Sequence, residues 1–320
     1  MTVLVTGAAG FIASHLSERL LAGGHQVVGL DNFDDFYDPA IKERNLEGGR
    51  DRDAFTLVRG DIRDPEVLAS LPSDVDTIVH IAARAGVRPS IAHPVLYYDV
   101  NVTGTLRLLE LARDRGIRRF LFASSSSVYG NNEKVPFSEE DRVDNPISPY
   151  AATKKAGELL CHTYAHLYGI RCLCLRFFTV YGPRQRPDLA IHKFARLLEA
   201  GEEIPMFGDG TTQRDYTYID DILDGVMGGL DWVGRAGEGA YEIVNLGESR
   251  TIELKEMIRV IAQEMGVEPR IRQLPMQPGD VERTYADVTR ARNLLGYDPT
   301  WEFRDGVRAF IRWLRAEGSG

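Results

Sequence analysis

The opening stretch TVLVTGAAGFIASHLSERLLAGGHQVVGLD constrains the fold more than any other part of the chain. Its pattern predicts a short β-branched strand, a glycine turn, a helix and a second apolar strand. Two such strands joined by a helix form a parallel βαβ unit. Because the same alternation continues as far as RCLCLRFF, the sequence predicts an α/β fold: a Rossmann-type doubly wound parallel sheet with helices on both faces.

After about residue 180 this alternation stops, and proline and glycine become frequent, as in YGPRQRPD and GDGTTQRD. The remaining helical patterns predict a smaller α/β lobe packed over the sheet. We expect residues 1–175, with about 216–247, to form the sheet domain, and residues 176–215 and 248–320 to form the lobe. The charged stretch DDFYDPAIKERNLEGGRDRDAF is interpreted as a solvated loop and helix.

Composition narrows the class of protein. The chain has 320 residues, of which 43% are apolar, and a net charge of −9 that argues against nucleic-acid binding. It contains no apolar run of about 18 residues and starts without an export signal, so we expect no membrane association and a cytoplasmic location. Cys161, Cys172 and Cys174 lie in apolar patterns and are interpreted as buried, reduced thiols.

The first glycine turn has the features of a dinucleotide site. Gly7 and Gly10 allow the backbone to approach a pyrophosphate, and the following helix offers free N–H groups at its start. Asp31 ends the second predicted strand, where a carboxylate accepts hydrogen bonds from an adenosine ribose. Asn32 follows it without a nearby arginine, which favours NAD over its phosphorylated relative. A tight turn followed by an acidic strand end is the structural alternative.

A second feature is the pair Tyr150 and Lys154, four residues apart in SPYAATKKAGE, where Ser148 is a predicted helix cap. The apolar residues of this helix predict that the pair lies beside its core face. Ser125 stands in ASSSSVYG, at the end of a predicted strand, and one loop would bring it to Tyr150. We hypothesise that Tyr150 and Lys154 lie at the bound cofactor and that Lys154 lowers the pKa of Tyr150. Tyr150 then acts as a general base while Ser125 binds the same substrate oxygen.

Together with ARAGVRPS, RFFTVYGPRQRPD, RDYTYIDD and QPGDVERTYAD, these motifs resemble the extended short-chain dehydrogenase/reductase family over nearly the whole chain. The sequence looks most like its UDP-glucuronate 4-epimerases. The resemblance implies an isomerase with tightly bound NAD+, a UDP-sugar substrate bound by the smaller lobe, and a homodimer. It also implies cofactor contacts in four segments beyond those already named, at Phe11, Ile12, Asp61, Ile62, Ala82, Ala83 and Asn101.

Related enzymes on this scaffold carry out other reactions after the same oxidation, and two serines help to separate them. Dehydratases of the family commonly have an acid and a base beside the Ser125 position, where this chain has Ser126 and Ser127. Hydroxyls are poor proton shuttles for expelling a hydroxyl group. Decarboxylases acting on UDP-glucuronate usually have a glutamate at the position of Ser127. The resemblance therefore favours epimerisation.

Substrate contacts are expected mainly in the second half of the chain. A sugar carboxylate requires hydrogen-bond donors or a cation, and Thr179, Arg186 and Arg88 are the candidates. By the resemblance, the UDP diphosphate would be bound by four residues near the smaller lobe: Arg214, Gln277, Asp280 and Arg283. Gln277 stands where hexose epimerases have an arginine. We expect no metal site, because Asp220 and Asp221 lie at a predicted helix start.

Two alternatives stay open. The protein could be an epimerase for neutral UDP-hexoses, or for both kinds of sugar. It could also be a non-catalytic dinucleotide-binding sensor, although such a protein would not need Ser125, Tyr150 and Lys154.

Overall fold

A computed structural model of the chain describes residues 1–50, 52–275 and 283–317. Its strands, numbered in chain order, are β1 Thr2–Thr6, β2 Gln26–Asp31, β3 Phe55–Arg59, β4 Thr77–His80, β5 Arg119–Ser125, β6 Arg171–Phe177, β7 Thr179–Tyr181, β8 Ile204–Phe207, β9 Gln213–Arg214, β10 Tyr216–Tyr218, β11 Tyr241–Leu246, β12 Ile252–Glu253 and β13 Ile271–Leu274.

The α-helices are α1 Phe11–Ala22, α2 Pro39–Asn45, α3 Glu47–Arg50, α4 Pro65–Ser70, α5 Val87–Ala92, α6 Pro94–Tyr98, α7 Gly104–Arg115, α8 Pro149–Tyr168, α9 Ala190–Glu199, α10 Ile219–Arg235, α11 Leu254–Met265, α12 Thr289–Leu295 and α13 Phe303–Glu317. A π-helical turn, Asp99–Thr103, joins α6 to α7, and a 3₁₀ turn, Ser126–Tyr129, follows β5. Among the described residues, no helix is both long and apolar enough to cross a membrane.

Seven parallel strands form the main sheet, in the order β11-β6-β5-β4-β1-β2-β3. Successive side chains of a strand point to opposite faces, so one strand contributes to two cores. In β1, Val3 and Val5 pack in the core that contains α1 and α10, whereas Leu4 packs in the core that contains α4, α7 and α8. This arrangement confirms the predicted doubly wound sheet.

The order of the strands reverses next to β1, because β2 and β3 lie on one side of it and β4 to β6 on the other. In open α/β sheets, ligands bind outside the carboxyl ends of the strands at such a point. The glycine turn after β1 and the loop after β4 meet there. The fold thus creates a crevice between the two halves of the sheet.

Helix α8 differs from the sequence interpretation. Its buried face includes Lys154, Gly157 and Cys161, so the lysine lies in the packed face and is only 4% exposed. Leu159 and Leu167 are among the apolar residues from which the core face of this helix was predicted, but they are 57% and 60% exposed. The reason is that the sheet packs against the small and polar side of this helix, which leaves Leu159 and Leu167 on the outer side.

The smaller elements lie downstream of β6. Strand β8 pairs with β13 in parallel, and β9 pairs with β12 in antiparallel orientation. Helix α11 packs against α9 and α13, while β11 returns to the main sheet beside β6. The three cysteines are free thiols buried between α8 and the sheet.

Candidate functional site

The first glycine turn is shaped by close approach of the backbone. Gly7 has φ +71°, and a Cβ atom there would lie 2.9 Å from the Ala82 Cα, closer than real Cβ contacts. The N–H of Gly10 donates to the Gly7 carbonyl oxygen at 2.8 Å, and helix α1 starts directly afterwards. This turn therefore places a helix N-terminus at the crevice with no side chain in front of it.

Asp31 closes the same side of the crevice. Its carboxylate accepts hydrogen bonds from the N–H groups of Ala9 at 3.0 Å and Phe33 at 2.8 Å, and burial raises its pKa. The Asn32 amide donates to the Asp61 carboxylate at 3.0 Å. A hydrogen bond from Arg63 is the largest of the effects that lower the pKa of Asp61 to about 2.

The opposite wall carries the Ser-Tyr-Lys set. Ser125 ends β5, and its hydroxyl donates to the Ser127 hydroxyl at 3.1 Å. The Ser148 side chain caps α8 by accepting from the Ala151 N–H at 3.1 Å, which places Tyr150 and Lys154 in the first two turns. The end of β5 and the start of α8 therefore meet at one edge of the crevice, as the sequence predicted.

The ammonium of Lys154 donates to the Ala123 carbonyl oxygen at 2.7 Å. Burial lowers its pKa to about 8. Burial also raises the pKa of Tyr150, while a hydrogen bond from Ser125 and the positive charge of Arg186 act in the opposite direction. Because the groups that oppose the rise are Ser125 and Arg186, the hypothesis that Lys154, near the bound cofactor, lowers the pKa of Tyr150 stays a prediction.

These walls enclose a cavity of about 380 Å³. Most of the residues singled out in the sequence line it: Gly7, Gly10, Phe11, Ile12, Asp31, Asn32, Asp61, Ile62, Ala82, Ala83, Ser125, Ser126, Ser127, Tyr150, Lys154, Thr179 and Arg186. The structure thus brings the proposed cofactor turn, the Ser-Tyr-Lys set and two of the three carboxylate candidates into one space.

Asn101 is placed differently from what the resemblance implied, because it is only 2% exposed and does not line the cavity. Its side chain accepts from the Arg84 N–H at 2.8 Å and donates to the Arg84 carbonyl oxygen at 3.0 Å. It also donates to the Thr153 hydroxyl at 3.0 Å. Asn101 therefore fixes the loop after β4 against α8, and its expected direct contact with the cofactor is not supported.

Three cationic candidates also lie outside the cavity lining. Arg88 is exposed, and its guanidinium stands 5.3 Å from the centre of the Phe207 ring. Arg214 lies in β9, and the backbone of Arg283 forms an isolated parallel β-bridge with Gln213, the residue before Arg214. The structure thus brings Arg214 and Arg283 together at the smaller lobe, while Gln277 and Asp280 lie outside the described residues.

Sequence reasoning missed one wall of the cavity, formed by residues of the stretch interpreted as solvated and by the loop after β4: Asp34, Phe36, Tyr37, Lys42 and Arg84. Lys42 is 6% exposed and donates to the Asp34 carbonyl oxygen at 2.7 Å. The sequence did contain one signal of this wall: Phe36 and Tyr37 are adjacent aromatic residues in an otherwise charged stretch, shortly after Asp31.

Comparison with known proteins is consistent with this geometry. The model of the family described as GDP-mannose 4,6 dehydratase matches residues 4–310. A UDP-glucuronate 4-epimerase of Thermodesulfobacterium geofontis is 40% identical over 315 residues, covering 98% of this chain and 95% of that protein. UDP-glucuronate 4-epimerase 4 of Arabidopsis thaliana is 41% identical over 335 residues, covering 100% of this chain and 76% of that protein.

A solved structure of similar fold is also that of a UDP-glucuronate 4-epimerase. The UDP-glucuronic acid 4-epimerase from Bacillus cereus, in complex with UDP-glucuronic acid and NAD, has a TM-score of 0.92 and 36% identity, covering 99% of this chain and 100% of that one. The fold and site define a dinucleotide-binding α/β protein with a Ser-Tyr-Lys set. The chain belongs to the GDP-mannose 4,6 dehydratase family of extended short-chain dehydrogenases/reductases.

Proposed function

We propose that this protein is an NAD-dependent isomerase that inverts C4 of UDP-glucuronate to give UDP-galacturonate. The observation that carries the proposal is that Arg186, a guanidinium only 18% exposed, lines the same cavity as Tyr150 and Ser125. A buried cation beside a general base suits a substrate with a negative charge near the reacting carbon. The epimerases of similar sequence and fold support the same reaction.

The residues of the cavity fit NAD. A Cβ at Gly7 would fill the space that the turn keeps open, and Asp31 presents a carboxylate at the end of β2. The residue that follows Asp31 is Asn32 and not an arginine that would attract a 2′-phosphate. When bound, NAD+ accepts a hydride from the sugar and later returns it, so no net oxidation results.

The protein's own groups handle the proton at the C4 hydroxyl. Tyr150 removes it, and the Ser125 hydroxyl, which opposes the rise in the pKa of Tyr150, binds the same oxygen. The raised pKa of Tyr150 keeps the phenol protonated until cationic groups favour the phenolate. Arg186 is one such group, and NAD+ would add a second positive charge when bound.

Ser126 and Ser127 line the cavity where an acid and a base would be needed for elimination. Two hydroxyls there leave C5 and its carboxylate unchanged during the reaction, which favours epimerisation over dehydration or decarboxylation. Thr179 and Arg186 would bind the sugar carboxylate. Arg214 and Arg283 would bind the diphosphate from the smaller lobe, with Gln277 and Asp280 nearby in the sequence.

The direct test is product analysis with the purified protein. We expect UDP-glucuronate to equilibrate with UDP-galacturonate without added NADH, and UDP-glucose to react far more slowly under the same conditions. Turnover of UDP-glucose alone would replace the proposal by a hexose epimerase. Tight binding of NAD without turnover of either sugar would support a sensor.

We further propose that the protein is a homodimer. Helices α6, α7 and α8 lie together and expose several large apolar side chains: Val95, Tyr98, Leu106, Leu159 and Leu167. Monomeric proteins seldom leave such a surface in water, and isologous helix pairing would cover it. Light scattering should give about twice the mass of the 35.8 kDa chain. The double variant Leu159→Arg, Leu167→Arg should shift the measured mass to that of the monomer. A mass that stays at the dimer value would exclude this face as the interface.

The division of the chain and its location are also proposals. Residues 1–175 with about 216–247 would hold NAD, and this is supported by the return of β11 to the main sheet. Residues 176–215 and 248–320 would hold the UDP-sugar. Three free, buried thiols suit a reducing compartment such as the cytoplasm.

A further inference from the structure

One aromatic ring in the missed wall contacts two cations. The guanidinium carbon of Arg186 lies 5.2 Å from the centre of the Phe36 ring, and that of Arg84 lies 5.3 Å from the same centre. Phe36, Arg84 and Arg186 all line the cavity. An aromatic face within about 6 Å of a guanidinium attracts it, and more strongly where water is excluded. Phe36 thus holds two like charges near each other at the site.

Each of these cations also has a carboxylate partner. Arg84 pairs with Asp34 at 3.0 Å, and Arg186 makes two hydrogen bonds to Asp188 at 2.8 and 2.9 Å. The Asp188 side chain is 42% exposed, whereas that of Arg186 is 18% exposed. An incoming carboxylate could therefore replace Asp188, which would return to water, while the buried guanidinium kept one carboxylate partner throughout.

For Arg186 to exchange Asp188 for the substrate carboxylate, its guanidinium needs another contact that stays in place. When Arg186 changes its carboxylate partner, the Phe36 ring is a contact that can stay in place and keep the guanidinium plane oriented. Immobilising the long arginine side chain before the substrate arrives reduces the entropy lost on binding. The buried Nε of Arg84 makes no hydrogen bond within the described part of the chain, so Arg84 retains a donor for an anionic group.

We propose that Phe36 is a positioning residue for recognition of the substrate's negative charge: it holds Arg186, with Arg84 beside it, ready to bind the sugar carboxylate. The proposal rests on the proposed function, since it assumes that the substrate is a UDP-hexuronate. It assigns a role in sugar discrimination to the segment that follows the cofactor-binding Asp31, far in sequence from the other substrate residues.

The same segment provides a matched control. Phe33 is also half-buried and also contacts an arginine, with the Arg59 guanidinium 4.0 Å from its ring centre, but it does not line the cavity. The variants Phe36→Leu and Phe33→Leu remove the same kind of contact three residues apart and keep apolar volume. Phe36→Tyr retains the aromatic face and serves as the conservative rescue.

The experiment measures KM and kcat for UDP-glucuronate, with the NAD content and melting temperature of each variant. Phe36→Leu should raise KM on the order of fivefold to tenfold with kcat within about twofold. Phe33→Leu and Phe36→Tyr should stay near the wild type. In an Arg186→Ala background, Phe36→Leu should add little, because the cation that it supports is gone.

Binding of UDP-glucuronate and UDP-glucose to the NAD-loaded protein separates this inference from the proposed function. Phe36→Leu should weaken binding of the uronate and leave that of the hexose unchanged, whether or not the protein turns either over. If the wild type binds the uronate without epimerising it, the proposed function fails and Phe36 is still tested. Equal effects on both sugars, no effect, or loss of NAD from Phe36→Leu would each overturn the inference.

Discussion

At the scale of single residues, the site depends on groups whose protonation is controlled by burial. Lys154 donates to the Ala123 carbonyl oxygen, and Tyr150 receives its favourable interactions from Ser125 and Arg186. The ammonium and the phenol are thus held separately, each by its own partners. We expect the two groups to act together only when the substrate and the cofactor are bound between them.

Tyr150→Phe should retain NAD and lose turnover by about 10³-fold, because the ring stays in place while the proton acceptor is removed. Turnover of UDP-glucuronate and the NAD content of the purified variant measure the two effects. Tyr164→Phe, on the same helix with its hydroxyl bonded to Glu110, is the matched control and should remain active. Turnover by Tyr150→Phe at the control's rate would remove Tyr150 as the base.

At the scale of elements, α8 is fixed to the sheet by a buried ion pair. Arg176 of β6 donates to the Glu158 carboxylate at 2.8 and 2.9 Å, and both side chains are at most 1% exposed. Ser124 also donates to Glu158, at 2.7 Å, and the Tyr129 hydroxyl accepts from Arg176 at 2.9 Å. This network connects the helix that carries Tyr150 to the strand that ends at Ser125.

Removing one partner of this pair should destabilise the protein strongly. Glu158→Met or Arg176→Met alone should lower the free energy of unfolding by about 3–5 kcal/mol, since each removes the main partner of a buried charge. After Arg176→Met, Glu158 keeps only the partly exposed Lys155 as an ion-pair partner, at 3.3 Å. The double variant should lose less than either single variant, because no buried charge remains. Urea unfolding of the three variants measures this; a double variant that loses the sum of both would contradict a coupled pair.

At the scale of the whole molecule, Asp215 connects three distant segments. Its carboxylate accepts from the N–H groups of Glu248 at 2.7 Å, Ser249 at 3.1 Å and Ala286 at 3.0 Å. Asp215 lies between β9 and β10, and these contacts join it to the loop after β11 and to the chain that follows residue 283. Beside it, Glu248 is 9% exposed, and burial raises its pKa to about 8.

The buried Glu248 should make stability depend on pH. The folded carboxyl group keeps its proton up to about pH 8, whereas the unfolded group loses it near the ordinary glutamate pKa of 4.5. Between these values the folded state binds more protons, so stability falls as pH rises. The melting temperature of Glu248→Gln relative to the wild type should therefore increase by a few degrees from pH 6 to pH 9.

Glu268→Gln, at an exposed position, is the control and should follow the wild type at both pH values. A constant difference between Glu248→Gln and the wild type would show that Glu248 does not titrate in this range.

The sequence by itself determined the local features of this protein. Strand and helix periodicity gave the doubly wound sheet, the glycine spacing gave the turn after β1, and spacing along a helix placed Tyr150 one turn before Lys154. Each of these follows from interactions within a few residues or from the alternation of side chains on a strand. Asp31 could be placed because it ends a strand at a fixed distance from the turn.

Only the tertiary structure decided which side chains meet across the cavity. Phe36, Arg84 and Arg186 come from three distant segments, and no local pattern indicates that an aromatic residue in a charged stretch faces two arginines. Asn101 and Arg88 were misplaced for the same reason, since the packing of a helix or loop determines which of its sides faces the crevice. Local sequence sets the shape of each element, whereas burial of one element against another selects the face that reaches the site.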